Sequence, residues 1–512
     1  MDVAAWESPD PGEVRVLGSQ ADWDQLASEY ENLLAENLPG GRMGPHMRPF
    51  RRCLEVAQEG GASSVVVETR YIDVDYRSEF SAHYSRSFRT PPATARRLHF
   101  FRAPLRPEQL WDLPTDAGYL GYMVLRPVPL GPVGRTMLRP PPGMEPAVRT
   151  MVTDYATVFG QRFEIAAVPF MQQDAQFDRC AHAAAWVCHY TAFRRQEVSR
   201  RSMGAFSLSA DPSLGFGRPV PSDGLTVLQL LEILRLFDLP CQFYDIENLP
   251  SVAPGPGTPP DPAPQRPDPA GMWDTRIISI CCRYLNSGVP VLVGNEEHAW
   301  VLCGYQRHAR ASGSDWIRFV RHDDQRGPYL WVDDVLNDVA GGYTYSPWRW
   351  LIVPLPDKLW LVPEPAEGMA AALLPSLAQR VVSAVPGSAA QTLLDKAARG
   401  ELRWRTYARL ANDFKAELVG RVDPIVLREY RMARLSRFVW VVEAIDRAGR
   451  QSGSQDVVLG EAVFDGTSNG LRPQPMALRV PGVIYLFPPD GSVRGPLICS
   501  PDSSRSGGVG PA

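Results

Sequence analysis

The first 160 residues alternate short apolar runs with polar turns, and one acidic segment has the spacing of a helix. The segment "DWDQLASEYENLLAEN" (residues 22–37) predicts an amphipathic helix. Strands are predicted for "SSVVVETRYIDVDYRSEF", "RLHFFRA" and "GYLGYMVLRPVPL", and the last of these ends at prolines that cannot continue a hydrogen-bonded ladder. Residues 1–160 are therefore expected to form an α+β domain, whose chemistry this pattern does not indicate.

A different pattern begins near residue 161. The segment "FEIAAVPFM" predicts a strand, and "CAHAAAWVCHYTAFRRQEV", "TVLQLLEILRLFDL" and "TRIISICCRYLNSG" predict helices, the last with a glycine stop. The second of these helices is expected to place Leu228, Leu231, Leu234 and Leu239 on its apolar side. Three further strands, "VPVLVG", "HAWVLCGY" and "DWIRFVRHDD", follow with polar turns between them. Residues 161–355 thus read as a second α+β domain.

Two segments interrupt or end this organisation. The segment "LPSVAPGPGTPPDPAPQRPDPAG" (residues 249–271) is dominated by proline, glycine and aspartate, so it is predicted to be an exposed insertion. Residues 356–500 are predicted to form a C-terminal α+β domain, with a helix at "RTYARLANDFKAELVG" and a strand pair at "RFVWVVEAIDRAG" and "DVVLGEAVFDG". Residues 501–512 have the composition of a disordered tail.

Composition and charge exclude several classes of protein. The chain has 512 residues, 44% hydrophobic and 21% charged, with a net charge of −4, which argues against a general binder of nucleic acid or anionic membranes. The N-terminal "MDVAAWESPDPGEVRV" lacks the apolar core of a secretory signal. The eight cysteines form no CxxC pair and no evenly spaced disulfide pattern. We therefore expect a cytoplasmic protein with reduced thiols and no metal or cofactor.

Cys180 stands where the polar, glutamine-rich segment "VPFMQQDAQFDR" becomes an apolar helix. Unpaired N–H groups in the first turn of a helix stabilise negative charge, and a thiol attacks carbonyl groups only as its thiolate. The alternative is a buried structural cysteine, because cysteine is among the residues most often buried. We expect Cys180 to be the most reactive thiol of the chain.

Two downstream positions supply partners for such a thiol. His298 opens the strand "HAWVLCGY" directly after a polar turn, and the alternative interpretation is a surface histidine at a strand edge. Asp323 and Asp324 end the next predicted strand, where a carboxylate can orient an imidazole and stabilise its protonated form. Because neighbouring strand residues point to opposite faces, only one of the two aspartates is expected to reach His298.

Other polar groups on the predicted helix at residue 180 have simpler interpretations. His182, Cys188 and His189 are spread around the helix, so a metal site is not expected there. The arginine-rich segment "RRQEVSRR" (residues 194–201) is predicted to be a solvated face, with an acidic partner as the alternative.

The segments "QQDAQFDRCAHAA", "HAWVLCGY" and "FVRHDDQRGPY" together resemble the papain-like cysteine peptidase superfamily, including the bacteriocin-leader peptidases and related bacterial proteases. The resemblance covers about residues 165–355 and implies a central papain-like catalytic domain. Cys180 and His298 lie 118 residues apart (298 − 180), and His298 and Asp323 lie 25 apart (323 − 298), which suits that fold. The resemblance implies Cys180 as nucleophile, His298 as base, and Asp323 rather than Asp324 as the orienting carboxylate.

The chain departs from the family's pattern beside the cysteine. Ala181 follows it where the family usually has glycine, Gly-Ser or tryptophan, and Asp174 stands where the family places its oxyanion glutamine. Gln173 is the favoured candidate for stabilising the oxyanion, and Gln172 and Gln176 are the alternatives.

The resemblance implies a cysteine peptidase that hydrolyses peptide bonds in a protein or peptide substrate. The same residues would serve an acyltransferase, a transglutaminase-like enzyme or a deamidase, and a further alternative is an inactive papain-fold scaffold that binds protein partners. No nucleic-acid or membrane partner is expected, while the flanking domains leave room for a protein partner.

Overall fold

The fold is that of a computed structural model, which describes residues 6, 8, 10–35, 44–128, 130–175, 180–210, 224–249, 275–309, 315–332, 348–446, 456–468, 472–498 and 505–507. Helix and strand take up 35% and 32% of the chain, so the protein is a mixed α+β protein, as the sequence predicts. Two compact units emerge, residues 1–248 with 288–356 and residues 249–287 with 357–512. These bounds do not coincide with the predicted ranges 1–160, 161–355 and 356–500.

The first unit contains a five-stranded antiparallel sheet with the order β1-β2-β3-β4-β5. Its strands are β1 Gly12–Val16, β2 Ser64–Tyr71, β3 Ala95–Phe101, β4 Tyr119–Leu125 and β5 Val133–Leu138. The helices of this region are α1 Gln20–Ala35, α2 Arg48–Glu59 and α3 Val74–Ala82, with 3₁₀ turns at Gly44–Met47, Tyr84–Arg86, Pro107–Trp111 and Glu145–Ala147. Helix α1 buries Trp23, Leu26, Tyr30 and Leu34, so the predicted amphipathic helix is confirmed.

The predicted strand at residues 63–80 is wrong in its second half. Strand β2 ends at Tyr71, and α3 begins three residues later at Val74. The reason is local, because the side chain of Asp73 accepts hydrogen bonds from the backbone N–H groups of Asp75 and Tyr76 at 3.0 Å each. An N-cap aspartate of this kind satisfies the free N–H groups of the first helical turn and starts a helix.

A six-stranded antiparallel sheet in the same unit carries the strands predicted downstream of residue 240. Its order is β12-β11-β10-β9-β13-β8, and β6 and β7 form a separate hairpin. The strands are β6 Val152–Val158, β7 Gln161–Ala167, β8 Cys241–Asp245, β9 Val291–Gly294, β10 Ala299–Ala309, β11 Asp315–Asp323, β12 Gly327–Val332 and β13 Trp350–Pro354. The three predicted strands that follow residue 288 are confirmed as β9, β10 and β11.

Three helices accompany this sheet, α4 Cys180–Arg194, α5 Met203–Leu208 and α6 Val227–Leu236. Helix α4 packs against β9 and β10 and against the other two helices. Every residue from Ala181 to Ala192 is buried, which explains why the helix is apolar on all sides. In α6 the buried residues are Gln229, Leu230, Ile233 and Leu234, while Leu228 is 61% exposed, so its predicted place on the apolar side is wrong.

The second unit is built on a seven-stranded sheet with the order β14-β15-β16-β17-β18-β19, and β20 pairs with β16. Its strands are β14 Leu402–Leu410, β15 Phe438–Asp446, β16 Asp456–Asp465, β17 Pro475–Val480, β18 Val483–Leu486, β19 Arg494–Ile498 and β20 Arg505–Gly507. Its helices are α7 Thr275–Asn286, α8 Pro363–Ala384, α9 Ala390–Ala398, α10 Ala411–Glu417 and α11 Pro424–Met432. The predicted strand pair is confirmed, because β15 and β16 are antiparallel neighbours.

The helix predicted at residues 405–420 is wrong in its first half. Residues up to Leu410 belong to β14, which pairs along its length with β15, and the helix α10 begins only at Ala411. Pairing with a distant strand thus overrides the local helical preference of this segment.

Helix α7 belongs to the second unit although it precedes β9 in the chain. Arg283 on α7 forms ion pairs with Glu367 at 2.9 Å and Glu364 at 3.2 Å, and the Ser287 hydroxyl accepts the Ala408 N–H at 2.8 Å.

Two sequence predictions fall largely outside the described residues. The Pro-rich segment is described only at Leu249, and of the tail only residues 505–507 are described, where they form β20. Among the helices that the structure describes, none is long and apolar enough to cross a membrane.

Candidate active site

Cys180 is the first residue of α4 and is only partly buried. Of the other cysteines that the structure describes, all but Cys241 are buried. Burial raises the pKa of the Cys241 thiol to about 12, and it also raises the pKa of Cys53, Cys188, Cys281 and Cys303. These thiols are held in their neutral, unreactive form, which leaves Cys180 as the described cysteine with access to both solvent and an imidazole.

His298 lies at the end of a tight turn between β9 and β10. The side-chain oxygen of Asn295 accepts the backbone N–H groups of Glu297 at 2.9 Å and His298 at 2.7 Å, and the Asn295 N–H donates to the His298 carbonyl at 3.0 Å. These three hydrogen bonds fix the backbone of the turn. The imidazole itself is 5% exposed and lies against the ring of Trp300, with 5.6 Å between ring centroids.

The imidazole of His298 joins Cys180 to Asp323. The Cys180 side chain hydrogen-bonds to it, and Nε2 lies 3.1 Å from Oδ1 of Asp323. Burial lowers the pKa of His298, but the charge and hydrogen bond of Asp323, together with the Cys180 hydrogen bond, outweigh it and hold the pKa well above its ordinary value. The arrangement therefore favours the imidazolium form of His298, the form in which the ring has accepted a proton.

Asp323 is fully buried at the last position of β11. Its Oδ1 also accepts the backbone N–H of Gln325 at 3.0 Å, and Oδ2 lies 3.6 Å from an Arg321 guanidinium nitrogen. Burial raises the pKa of this carboxyl, but the charge of His298, its hydrogen bond and Arg321 together lower it below its ordinary range. Asp323 is thus an anion, and an anion can only accept, so the Nε2 of His298 carries the proton between them.

Asp324 also reaches the imidazole, which corrects the expectation that only one aspartate would. Its Oδ1 lies 3.7 Å from Nε2 of His298. The alternation of a strand does not apply here, because β11 ends at Asp323 and the pairing with β12 shifts register between Arg321 and Asp323.

The environment of Asp324 differs from that of Asp323. Neither of its carboxylate oxygens has a hydrogen bond of normal geometry among the described residues, although the Gln173 backbone amide is near enough to lower its pKa somewhat. Burial raises the pKa of Asp324 to about 7 against the charge of His298, and Asp323 adds to the rise. The Asp324 carboxyl is therefore readily protonated near neutral pH, whereas the Asp323 carboxyl is charged.

Three glutamines precede Cys180 as candidate oxyanion donors, and the structure does not treat them alike. Gln172 is wrong as an oxyanion donor, because its amide is already used: Nε2 donates to the His46 carbonyl at 2.8 Å and Oε1 accepts the Val133 N–H at 3.1 Å. Arg126 fixes the same segment by donating to the Gln172 carbonyl at 2.7 Å. Gln173 is half-buried beside Asp324, and its oxyanion role stays a prediction. Gln176 lies outside the described residues.

Gln325 contacts the imidazole of His298, which the sequence did not suggest. Its side-chain Nε2 lies 3.2 Å from Nδ1 of His298, on the opposite side of the ring from Asp323. The turn after β11 produces this contact, and the only sequence signal is that Gln325 follows the triad aspartate by two residues, the spacing of an Asx-type turn.

A small cavity lies beside the Cys180 side chain. It has a volume of about 10 Å³, and apolar residues of α4 and β10 line it together with His322 and Asp324. Burial lowers the pKa of His322 to about 3, and its Nδ1 pairs with the Pro169 carbonyl at 3.1 Å. The cavity has room for at most one water molecule, so it is not a substrate pocket.

One group of neighbouring side chains at this site has the chemistry of metal ligands. His298, Asp323 and Asp324 offer ligand atoms that all lie within 4.8 Å of one another, and they form the one such group among the described residues. A metal ion bound to Nε2 of His298 would replace the hydrogen bond between Nε2 and Asp323. A bound ion and the hydrogen-bonded triad therefore exclude each other. His189 is a core residue, because its ring packs against Phe206 and Phe237 at 5.6 and 5.8 Å and burial lowers its pKa to about 4.

No protein-family model matches the chain, and no curated protein matches it.

Proposed function

We propose that the protein is a cysteine peptidase, with Cys180 as nucleophile, His298 as general base and then general acid, and Asp323 as the residue that orients the imidazole. The observation that carries the proposal is the hydrogen-bonded chain from the Cys180 side chain through His298 to the buried, ionised Asp323. A partly exposed thiol at a helix start, paired with an imidazole that a third group orients, is the signature of an activated nucleophile.

The reaction would proceed in two steps. The Cys180 proton passes to Nδ1 of His298, and the thiolate attacks the substrate carbonyl carbon. The imidazolium then protonates the leaving amine, which gives an acyl thioester, and the same imidazole activates a water molecule that hydrolyses it. Asp323 remains an anion throughout and stabilises the positive charge on the ring.

The oxyanion of the tetrahedral intermediate needs donors near Cys180. The backbone N–H of Cys180 is one, because the first N–H groups of a helix lack intrahelical partners. Gln173 is the second in this proposal, since its segment runs beside the site.

The resemblance to papain-like peptidases supports these roles. An acyl-transferring enzyme would use the same residues, and an inactive scaffold would keep the fold without the reaction. The choice between them depends on what resolves the thioester. Water gives a peptidase or deamidase, an amine gives a transferase, and a scaffold forms no thioester.

The test is to incubate wild-type protein and Cys180→Ala with a cell lysate and to identify new protein termini by mass spectrometry. Cys241→Ala is the matched control, because Cys241 is also a partly buried thiol but heads a strand at the sheet edge. The proposal expects new termini with wild type and Cys241→Ala and none with Cys180→Ala. New isopeptide or amide products without new termini would contradict peptidase activity and favour the transferase, and no difference among the three proteins would favour the scaffold.

A further inference from the structure

Gln325 touches both members of the imidazole–carboxylate pair. Its backbone N–H donates to Oδ1 of Asp323 at 3.0 Å, and its side-chain Nε2 lies 3.2 Å from Nδ1 of His298. The turn is fixed further by the Arg326 N–H, which donates to the Asp323 carbonyl at 3.0 Å. The backbone contact fixes Gln325 beside the site, and its side-chain amide lies next to Nδ1 of His298, the ring nitrogen that does not face Asp323.

The chemistry of the two ring nitrogens limits what this amide can do. Because Asp323 is an anion that only accepts, the proton between it and His298 is on Nε2. In the neutral ring Nδ1 then bears a single lone pair, which accepts either the Cys180 S–H or an N–H of the Gln325 amide. In the imidazolium Nδ1 bears a proton and can only donate, so an N–H of Gln325 can no longer bind there.

A glutamine side chain can serve both states, because it carries a donor at one end of the amide and an acceptor at the other. We propose that Gln325 is a positioning residue of this site: its amide nitrogen donates to Nδ1 of neutral His298 while the Cys180 thiol does not, and once the ring takes the Cys180 proton its amide oxygen turns to share the Nδ1 proton with the thiolate. The proton moves from Sγ to Nδ1, leaving a thiolate and an imidazolium, and no other reactant takes part.

The inference extends the proposed function, but it concerns the protonation of His298 and can be tested without it. The charged and titratable groups that face the ring are Cys180 on α4 and Asp323 and Asp324 at the end of β11, with Arg321 behind Asp323. Gln325 is the uncharged group added to them. Its side chain is exposed, so its replacement does not disturb a core.

The direct experiment is an NMR titration of the His298 ring in Cys180→Ala protein, which has no catalytic thiol. Three proteins with Cys180→Ala are compared: one keeps Gln325, one carries Gln325→Leu and one carries Gln325→Glu. Leucine removes both hydrogen bonds, and ionised glutamate only accepts and adds a negative charge. We expect the glutamate variant to titrate at a pH higher than the glutamine protein by about one pH unit. In the Gln325→Leu variant we expect the His298 ring to exchange between orientations, because neither hydrogen bond to Nδ1 is left. This exchange should broaden the ring resonances.

Gln306→Leu is the matched control, because Gln306 lies on β10 of the same sheet and opposite Arg318 rather than at the site. It should leave the His298 titration and line widths unchanged. A titration that is the same within about 0.2 pH unit for all Gln325 variants, with unchanged line widths, would overturn the inference.

Kinetics supply the second readout in the active protein. Gln325→Leu should lower kcat/KM by about five- to tenfold, as expected for one lost hydrogen bond, and circular dichroism checks that it is folded. Gln325→Glu should restore binding of the imidazolium but raise the pH at which activity falls on the alkaline side. If no peptidase activity exists at all, the proposed function fails while the titration still decides the role of Gln325.

Discussion

Asp323 and Asp324 are neighbours in the chain, yet their surroundings favour opposite protonation states. Asp323 accepts hydrogen bonds from His298 and from the Gln325 N–H, and these keep it charged despite full burial. Asp324 has no such hydrogen bond among the described residues, and burial raises its pKa to about 7. A buried carboxylate without donors is costly, so the neutral form is the one that this position stabilises.

This difference predicts unequal effects of removing the two side chains. We expect Asp323→Ala to lower turnover by several orders of magnitude, up to about 10⁴-fold, because the imidazole loses its orienting anion. Asp324→Ala should change turnover by less than about tenfold, because it breaks no well-formed hydrogen bond. Turnover of the two variants, with folding checked by circular dichroism, is the measurement. A folded Asp323→Ala protein with near-normal turnover would contradict the assignment, and a crippled Asp324→Ala would exchange the two roles.

The pH dependence of activity follows from the raised pKa of His298. The imidazolium protonates the leaving amine, so the alkaline fall of kcat/KM should begin only as the pH rises through a pKa that lies well above 6.5. Asp323→Asn removes the charge that outweighs burial, and burial alone lowers the pKa of an imidazole. The alkaline limb of the variant's residual activity should therefore move to lower pH, by about one to three pH units. An alkaline limb at the same pH in both proteins would argue against the pairing.

At the scale of elements, the sequence predicted α4 correctly but could not predict what holds it. Its apolar composition and the polar segment before it are local signals. Its anchors are distant: Trp186 Nε1 donates to Asp75, 111 residues away, and the Tyr190 hydroxyl donates to Asp154, 36 residues away. No local pattern connects such residues, because a hydrogen-bond partner is set by the tertiary fold.

Asp75 gives a direct test of these anchors. It is 1% exposed and accepts from Trp186 at 3.2 Å and from the Met203 N–H at 3.1 Å, and it pairs with Arg200 at 3.0 Å. Asp75→Ala leaves the two buried donors, Trp186 Nε1 and the Met203 N–H, without their acceptor, so we expect the free energy of unfolding to fall by about 2–4 kcal/mol. Urea denaturation measures the change.

Asp24→Ala is the control for this experiment, because Asp24 lies on the exposed side of α1. It should change the free energy of unfolding by no more than about 0.5 kcal/mol. A loss of less than about 1 kcal/mol for Asp75→Ala would show that α4 does not depend on this contact.

The triad residues could be proposed from sequence because each has a local signal: a helix start, a strand start after a turn, and a strand end. Gln325 could not, since its role depends on the direction that the turn gives its side chain. The same limit explains β14, where pairing with β15 decides the structure of a segment with helical composition.

At the scale of the whole molecule, the six-stranded sheet joins parts of the chain that lie on both sides of residues 250–274. β8 precedes that segment and β13 follows it, and the two pair from Cys241 with Pro354 to Asp245 with Trp350. The sequence pattern predicted neither β8 nor β13, and no local signal could reveal their pairing, because these strands are far apart in the chain and are neighbours only in space.

This pairing predicts the outcome of limited proteolysis. The proline-rich composition of residues 249–271 predicts early cleavage there, and the two fragments should stay together because they share the sheet and α4 packs on β9 and β10. Size-exclusion chromatography of the nicked protein, with the fragments identified by mass spectrometry, is the measurement. Early cleavage elsewhere, or fragments that separate without denaturant, would contradict this organisation.

The central claim is that Cys180 is an activated nucleophile paired with His298, and its alkylation rate tests that claim most directly. A limiting amount of iodoacetamide is added between pH 5 and 9 to wild type and to His298→Ala, and the modified cysteine is identified by peptide mapping. We expect Cys180 to be modified first in wild type, already at pH 6 and faster than an ordinary thiol, and to lose this advantage in His298→Ala. If Cys180 reacts at the rate of an ordinary thiol in both proteins, the account is contradicted.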